Sequence, residues 1–322
     1  MRRRLLLGAI YTAFLAASAV TAASPGGKAF ERGHRPILFN IVNAYGKVQV
    51  ATVDPAGHDV RRLTHFKAGT GEAQWAPSGG RIVLERLIRA RPGALYSMRP
   101  GGEQLRRLSS GCHGKCLEDF EPAWSNGGGL IAFNRAFGPI VNDNAAEIDL
   151  MIMRRNGNAI RVLERFKNFA AKRKLEPHNP DFSPDDSQLA ITLLYVSSPG
   201  AGSAIFTYTF ATGEFDRVTP WRLNAGNADW SADGRRILFN SNYLAPGPAD
   251  LYTIAPDRSG LRRLTHTPGK RSAFAPTWSP SNRRVAFSVA GPGVPPHPVV
   301  MNVGGENKHR VASKVGIVLD WG

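Results

Sequence analysis

Carboxylate and amide side chains recur at two fixed positions before a repeated aromatic residue. The aromatic positions are Trp75, Trp124, Phe182, Trp230, Trp278 and Trp321. The residues one position earlier are Gln74, Ala123, Asp181, Asp229, Thr277 and Asp320, and those three positions earlier are Glu72, Glu121, Asn179, Asn227, Ala275 and Val318. Residues two apart in a strand point to the same side. The pattern therefore predicts rows of oxygen ligands, which suit Ca²⁺ or a cationic side chain.

His178 is the histidine beside these positions, since it directly precedes Asn179. The chain contains no His-Glu-x-x-His motif, no Gly-x-Ser-x-Gly elbow and no phosphate-cradling glycine loop. Catalysis needs several titratable groups in one pocket, and the sequence offers one histidine with scattered carboxylates. We therefore favour binding over catalysis. The polar groups also have a purely structural interpretation, as hydrogen-bond partners of neighbouring strands or of water.

The elements that carry these residues form a repeat. Residues 227–265 contain four short alternating or β-branched stretches, separated by turns at Asp233-Gly234 and Asp257–Gly260, which is typical of four β-strands. Nine residues after each of the first five aromatic positions comes a large apolar residue: Leu84, Phe133, Ile191, Phe239 and Phe287. Repeated four-stranded units indicate the blades of a β-propeller.

The sixth aromatic position, Trp321, has no strands after it. The missing strands occur at the other end of the sequence, where Pro36–Phe39, Lys47–Val53 and Val60–Thr64 form a unit without its first strand. We therefore expect Val315–Trp321 to be the inner strand of the N-terminal blade. That strand would close the ring and leave no open sheet edge. The predicted fold is all-β, a six-bladed propeller with four-stranded antiparallel blades.

The repeat resembles the TolB-type propeller repeat. Trp230-Ser-Ala-Asp-Gly is followed by Ile237-Leu-Phe, then by Asp250-Leu-Tyr, and then by Leu261-Arg-Arg-Leu-Thr. The resemblance implies a TolB-like six-bladed β-propeller over nearly the whole chain. It implies no single function, because proteins with this repeat include binding proteins, peptidase gates and some polysaccharide lyases. TolB itself carries a small α/β domain before its propeller, and we expect none here.

Residues 1–23 have the pattern of a signal peptide. Met1-Arg-Arg-Arg is basic, Leu5–Val20 is apolar, and Ala19–Ala23 provides small residues suited to cleavage. The apolar stretch is short for a membrane span. We therefore expect export to the periplasm, the cell envelope or the medium, with no transmembrane segment after cleavage. Residues 24–33 would form a short linker and residues 34–322 a single propeller, most simply a monomer.

Cys112 and Cys116 lie close together in Gly-Cys-His-Gly-Lys-Cys. In an exported chain such a pair predicts a disulfide that closes a small loop. A metal site with His113 as third ligand is the alternative. Against it, the pair lacks Cys-x-x-Cys spacing, and the chain has no second cysteine pair.

The formal net charge is +16. An exported protein seldom meets nucleic acid, so the expected anionic neighbours are envelope polymers or phospholipid headgroups; a merely solvated basic surface is the other interpretation. The densest basic segment, 154–176, holds eight Lys or Arg against two Glu, and includes Lys172, Arg173 and Lys174. Its part Glu164–Leu175 is predicted to be a short helix.

Strand order predicts which face of the ring binds. The connections between second and third strands, and those between blades, lie on one side, which we call the loop face. They are expected to be the long, variable ones: Ser109–Glu121, Arg135–Glu147, Glu164–His178, Val196–Ser203, Tyr243–Pro248 and Gly291–Pro298. Binding residues concentrate on such loops. The inner strands begin there, so the polar rows would line the mouth of the central tunnel.

Two functional hypotheses follow. The first is a non-catalytic, exported module that binds a protein or an anionic cell-envelope polymer through the loop face and tunnel mouth. It requires no cofactor, and Ca²⁺ is the candidate ligand of the tunnel. The second is a lyase or hydrolase on an anionic polysaccharide, using His178 and the acidic mouth, with or without a metal. The first is favoured because the carboxylates are dispersed around one histidine.

Overall fold

The computed structural model describes residues 35–88, 92–109, 112, 114–141, 144–195, 202–243, 247–313 and 315–321. The predicted signal peptide and linker, residues 1–33, lie outside the described residues. Nearly all regular structure in the described part is β-strand, arranged in six four-stranded sheets. Adjacent strands within each sheet are antiparallel, and neighbouring inner strands contact one another around the ring. The six-bladed β-propeller is confirmed.

Blades two to six each run along the chain from the inner to the outer strand, whereas blade one takes its inner strand from the C-terminal end. Blade one comprises β24 (Val318–Trp321), β1 (Ile37–Val42), β2 (Val48–Val53) and β3 (Arg61–Arg62); blade two β4 (Thr70–Trp75), β5 (Ile82–Arg86), β6 (Ala94–Met98) and β7 (Arg106–Arg107); blade three β8 (Cys116–Trp124), β9 (Leu130–Val141), β10 (Asn144–Arg154) and β11 (Arg161–Val162). Blade four comprises β12 (Leu175–Phe182), β13 (Gln188–Tyr195), β14 (Gly202–Thr209) and β15 (Phe215–Arg217); blade five β16 (Gly226–Trp230), β17 (Ile237–Asn240), β18 (Leu251–Ile254) and β19 (Arg262–Arg263); blade six β20 (Ser272–Trp278), β21 (Arg284–Gly291), β22 (Val294–Asn302) and β23 (His309–Arg310).

The C-terminal strand closes the ring as predicted. β24 pairs with β1, placing Trp321 opposite Ile37. The Trp321 indole Nε1–H also donates to the Arg35 carbonyl oxygen at 3.1 Å. One blade is thus built from both ends of the propeller, and β1 has no open inner edge.

The repeated large apolar residues fill the blades. Phe133, Phe239 and Phe287 are fully buried on the second strands of blades three, five and six. Burying one such side chain stabilises a fold by about 1.5–3 kcal/mol. Since β-strands alternate their faces, each strand contributes to the contacts with both neighbouring blades. The spacing recognised in the sequence is therefore a packing requirement of the ring.

Two of the expected long loops are extended hairpins instead. β9 and β10 continue their antiparallel ladder through much of the Arg135–Glu147 segment, and β21 and β22 approach within two residues of each other. Extending the ladder gives the backbone groups of these segments hydrogen-bond partners. The sequence predicted long connections here without their conformation, and the structure shows that these two are hairpins that project on the loop face.

The predicted disulfide is present between Cys112 and Cys116, with Cα atoms 5.1 Å apart. The disulfide lies beside the extended β9–β10 hairpin of blade three, because Cys116 on β8 pairs with Phe137 on β9. The alternative metal ligand His113 lies outside the described residues. Both sulfur atoms are bonded to each other, so neither serves as a thiolate ligand here.

The predicted helix occupies Glu164–Arg173 and is named α1. It buries Phe166 and Ala170 against blade four, and Lys167 Nζ binds Glu147 Oε1 at 2.7 Å and Asp149 Oδ2 at 3.1 Å on blade three. α1 therefore links two blades at the loop face. A one-turn 3₁₀ helix, Trp221–Leu223, lies between blades four and five. Among the described residues, no helix combines the length and the apolar character needed to cross a bilayer.

Candidate functional site

A cavity of about 110 Å³ lies on the propeller axis where the inner strands meet. Eight of the sequence-predicted residues line it: Glu72, Gln74, Glu121, Asn179, Asp181, Asn227, Asp229 and Asp320. His178 is not one of its lining residues. The structure thus brings together residues from five different blades that are up to about 250 positions apart in the sequence.

A β-bulge interrupts the inner strands beside the cavity. The register shifts between Phe120 and Ala123 in blade three, with equivalent shifts in blades two, four, five and six. At the bulge Glu121, Asn179, Asn227 and Ala275 have positive φ angles, a conformation that costs non-glycine residues energy. Consecutive residues such as Asn227, Ala228 and Asp229 consequently line the cavity. The strict two-residue period assumed from the sequence does not hold here, because a bulge re-aims side chains.

The residues directly before the aromatic positions connect neighbouring blades. Their side-chain oxygens accept hydrogen bonds from backbone N–H groups of the next blade. The pairs are Asp320 with Trp75 at 2.7 Å, Gln74 with Trp124 at 2.5 Å, Asp181 with Trp230 at 2.7 Å and Asp229 with Trp278 at 2.6 Å. This is the structural role that the sequence left open. Each carboxylate uses its Oδ2 for this bond.

The cavity is strongly acidic. Burial raises the pKa of Asp181 to about 7 and of Asp320 to about 6, and the pKa of Asp229 lies well above its usual range because of burial and the nearby Asp181. Burial, together with the charge of Glu121, raises the pKa of Glu72 to about 8. None of the described residues lining the cavity is Lys, Arg or His. Its carboxyl groups must therefore bind protons or an external cation to relieve their repulsion.

His178 belongs to a hydrogen-bonded cluster beside the cavity. Its Nδ1 lies 3.2 Å from Glu121 Oε1, and its Nε2 lies 4.0 Å from Glu176 Oε2, beyond hydrogen-bond distance. Burial disfavours the imidazolium, but the charges of Glu121 and Glu176 outweigh it and raise the pKa of His178 to about 9. The ring is therefore protonated at neutral pH, which suits an ion pair and not a general base.

Glu121 holds this cluster together. One of its oxygens, Oε2, accepts hydrogen bonds from Asn134 Nδ2 at 2.7 Å and from the backbone N–H of Asn179 at 2.9 Å. Since Asn179 belongs to blade four, Glu121 bridges two blades in the same manner as the aspartates. Both oxygens of this carboxylate are thus occupied within the protein, which sets Glu121 apart from Glu72.

Tyr243 is a cavity residue that the sequence reasoning missed. It lies in the connection after β17, lines the cavity, and its hydroxyl donates to Asn179 Oδ1 on blade four at 3.1 Å. Its ring occupies the space beside Gly226, where an added Cβ would come within 2.3 Å of the ring. The sequence indicated only that Tyr243 begins a loop-face connection, Tyr243–Pro248, and that Gly226-Asn227 ends two residues before Asp229; neither signal identifies the contact between them.

The predicted basic residues Lys172, Arg173 and Lys174 lie at the C-terminal end of α1, on the loop face. Lys172 and Lys174 are exposed, and Lys174 ends the helix in the left-handed conformation. Arg173 is exposed as well, but its guanidinium carbon stacks 4.2 Å from the centre of the Phe169 ring. Lys172 and Lys174 are consequently the side chains of this group best placed to meet an anionic partner.

Solved structures of known proteins share this architecture. TolB from Acinetobacter baumannii aligns with a TM-score of 0.68 and 16% identity, over 89% of this chain and 66% of that chain. A protein assigned as TolB from Agrobacterium tumefaciens aligns with a TM-score of 0.64 and 19% identity, over 89% and 92%. An oligogalacturonate lyase in complex with manganese aligns with a TM-score of 0.55 and 13% identity, over 86% and 74%. No family model and no curated protein matches the sequence.

These similarities, together with the closed ring and the acidic axial cavity, define the class of the molecule as a six-bladed β-propeller. Its fold is TolB-like, as the repeat predicted. At these identities the likeness concerns the fold alone. The chain spans slightly less than two thirds of the Acinetobacter protein's length.

Proposed function

We propose that this chain is an exported, non-catalytic binding module that recognises a protein or cell-envelope polymer through the loop face and the central cavity. One observation carries the proposal: several carboxyl groups line a cavity that has no basic side chain among its described lining residues. Such a site favours a cationic group of the partner, for example a lysine side chain or a terminal amine.

The cavity oxygens also match the ligands of Ca²⁺. Asp181, Asp229 and Asp320 each direct one oxygen to a neighbouring blade, and their second oxygens, with the side-chain oxygens of Asn179 and Asn227, are of the type that Ca²⁺ accepts. We include Ca²⁺ binding in the proposal as an alternative cation. Bound Ca²⁺ would neutralise the carboxylates and so favour a partner without a cationic group.

Catalysis on an anionic polysaccharide is less well supported. His178 is outside the set of residues that line the cavity, and Glu121 keeps it protonated at neutral pH. The proposed polymer would also place its own negative charges against an acidic cavity. Export of the protein remains part of the proposal, because it depends on residues 1–23.

Isothermal titration of the mature chain with trilysine and, separately, with CaCl₂ tests the proposal. We expect binding of at least one probe, weakened at least tenfold in the double variant Asp181→Asn/Asp229→Asn. Asparagine keeps a side-chain oxygen for the inter-blade hydrogen bond and removes the charge. The matched control is Asp233→Asn/Asp257→Asn, which removes two charges from turns on the opposite face.

The proposal is wrong if the wild-type chain binds neither probe, or if the control variant loses as much affinity as the cavity variant. Turnover of a polyuronate by wild type, abolished in His178→Asn, would instead favour the enzymatic alternative. Melting temperatures of all variants show whether a loss of binding reflects a loss of fold.

A further inference from the structure

One position of the repeat carries an exposed basic residue in four blades, five residues before the bulge residue of the inner strand. The bulge residues are Glu72, Asn179, Asn227 and Ala275, and the basic residues are Lys67, Lys174, Arg222 and Lys270. In blade three, the exposed Lys115 lies one position earlier relative to the bulge. Equivalent positions of a propeller recur around its axis. We therefore call Lys67, Lys115, Lys174, Arg222 and Lys270 the basic ring.

The basic ring surrounds the mouth of the axial cavity. Each of its residues belongs to the connection between the outer strand of one blade and the inner strand of the next, and these connections lie on the loop face. The bulge residues Glu72, Asn179 and Asn227 line the cavity. Since five residues of chain span at most about 18 Å, the backbone of the corresponding ring residues lies within that distance of the cavity lining.

The positive charges of the basic ring are not neutralised within the protein. In the described part of the chain, the ion pairs involve other basic residues, and none includes a member of the basic ring. On the opposite face, by contrast, Arg258 pairs with Asp216 at 3.1 Å and Arg61 pairs with Asp59 at 2.7 Å. Unpaired charges at fixed positions steer an oppositely charged partner and orient it. The loop face therefore favours a partner with negative charges.

The basic ring encloses a site of the opposite charge. Asp181, Asp229 and Asp320 line the cavity, and the described residues of its lining include no Lys or Arg. A polyanion would pair with the ring but would bring further negative charge towards these carboxyl groups, and a simple cation would leave the ring unpaired. A polypeptide can carry a cationic side chain and acidic side chains at separate places. The arrangement of both signs therefore fits a polypeptide best.

We propose that the loop face binds an acidic polypeptide segment of a partner protein, with one lysine among its Asp and Glu residues. The inference rests on the proposed binding function and names the kind of partner. The lysine ammonium enters the cavity and faces Asp181 and Asp229, while carboxylates on either side of it pair with the basic ring. Contacts of both signs fix the register of the segment as well as its affinity.

Three synthetic peptides separate the two kinds of contact. Each has a central residue, a linker of four Gly or Ser residues on either side, which spans about 13 Å when extended, and four outer residues at each end. The acidic-lysine peptide has Lys at the centre and Glu outside. The neutral-lysine peptide has Gln outside instead, and the acidic-norleucine peptide has norleucine at the centre. Isothermal titration of the mature chain should give about tenfold tighter binding of the acidic-lysine peptide than of either other peptide. The advantage of Glu over Gln should shrink near 1 M salt, where the Debye length is about 3 Å.

Two variants assign each contact to its residues. Lys67→Ala/Lys174→Ala/Lys270→Ala removes three exposed charges of the basic ring and should bind the acidic-lysine peptide no more tightly than the neutral-lysine peptide. Its affinity for the neutral-lysine peptide should stay at the wild-type value. The cavity variant Asp181→Asn/Asp229→Asn should lose the preference for lysine over norleucine at the centre of the peptide.

A third variant is the matched control. Arg155→Ala/Arg235→Ala/Arg283→Ala also removes three exposed positive charges, but from turns on the opposite face. Its net charge equals that of the basic-ring variant, and it should bind all three peptides as wild type does. Melting temperatures of the variants show whether each remains folded.

Several outcomes overturn the inference. Equal binding of the acidic-lysine and neutral-lysine peptides, with lysine still preferred over norleucine, removes the acidic partner and leaves the proposed function standing. An equal loss in the opposite-face variant would show attraction by net charge without a site. Tighter binding of alginate oligomers, unaffected by the cavity variant, would identify an anionic polymer as the partner. Binding only to phosphatidylglycerol vesicles would identify a lipid surface.

Discussion

Asp229 in blade five accepts a hydrogen bond at 2.6 Å from the backbone N–H of Trp278 in blade six. The acceptor lines the axial cavity, and the donor is the aromatic residue that ends the next inner strand. The same relationship joins Asp181 to Trp230 and Asp320 to Trp75. The carboxylates proposed to attract a cation are therefore also the groups that hold adjacent blades together.

Replacing Asp229 by alanine should destabilise the propeller more than replacing it by asparagine. Alanine leaves the Trp278 N–H without its acceptor, and an unpaired buried donor costs about 1–3 kcal/mol. Asparagine retains a side-chain oxygen that can accept this hydrogen bond. Urea unfolding at pH 7 measures both free energies of unfolding. Equal values for the two variants would show that this hydrogen bond contributes little.

The free energy of unfolding should fall as the pH rises from about 4 to about 8. Burial raises the pKa of Asp181 to about 7, of Asp320 to about 6 and, with the Glu121 charge, of Glu72 to about 8. The folded chain thus binds more protons than the unfolded chain, whose carboxyl pKa values are about 4. Carboxyl groups of this kind stabilise the folded state fully when the pH is below their pKa in the unfolded chain. That stabilisation is lost as the pH rises through their pKa in the folded chain.

Urea unfolding across this pH range tests the prediction. The profile of Asp181→Asn/Asp229→Asn should be flatter than that of wild type. Asp233→Asn serves as the opposite control, because hydrogen bonding lowers the pKa of Asp233. The Asp233 carboxylate stabilises the folded state when the pH is above its pKa in the unfolded chain. This stabilisation is lost only as the pH falls through its lowered pKa in the folded chain. A wild-type profile that rises between pH 4 and 8 would contradict the assignment of buried carboxyls.

Deleting residues 315–322 should lower the thermal midpoint strongly and cause aggregation. The deletion removes β24 together with its buried side chains Val318 and Trp321. It also exposes the inner edge of β1 to other chains. Loss of one large buried aromatic residue alone costs about 3–5 kcal/mol. Differential scanning calorimetry with light scattering measures both effects. A truncated chain that melts cooperatively near the wild-type temperature would show that β24 is dispensable for closure.

Reducing the Cys112–Cys116 disulfide should cost little stability. Chain-entropy estimates give about 3 kcal/mol for a 15-residue loop, and this loop is far shorter. Protein produced by export should show no free thiol under denaturing conditions, and its melting temperature should change only slightly on reduction. Two titratable thiols in the unreduced protein would argue against the pairing.

Gly226→Ala should displace Tyr243 from the cavity. The new Cβ would lie within 2.3 Å of the Tyr243 ring, so the ring must move and its hydroxyl must leave Asn179. Tyr243→Phe is the matched variant that loses only the hydrogen bond, worth about 0.5–1.5 kcal/mol. We expect Gly226→Ala to be the more destabilising change in thermal unfolding. The reverse order would show that the ring relocates without cost.

The sequence by itself determined the repeat, the number of blades and the closure of the ring. Aromatic residues at Trp75, Trp230 and Trp278, each followed nine residues later by a buried apolar residue, reflect packing that every blade must satisfy. The helix after blade three and the disulfide were also predictable, since both depend on residues close together in the chain. Features that depend on neighbouring residues can be predicted from short stretches of sequence.

Only the tertiary structure decided what the polar residues do. Asp229 has its partner N–H at Trp278, and Glu121 meets His178 from another blade, so neither contact follows from local spacing. The bulge at Asn179 and Asn227 breaks the two-residue period on which the sequence argument depended. Tyr243 reaches the cavity from a connection with no repeated pattern. Long-range contacts set both the geometry and the pKa values, because burial and neighbouring charges exist only once the ring has closed.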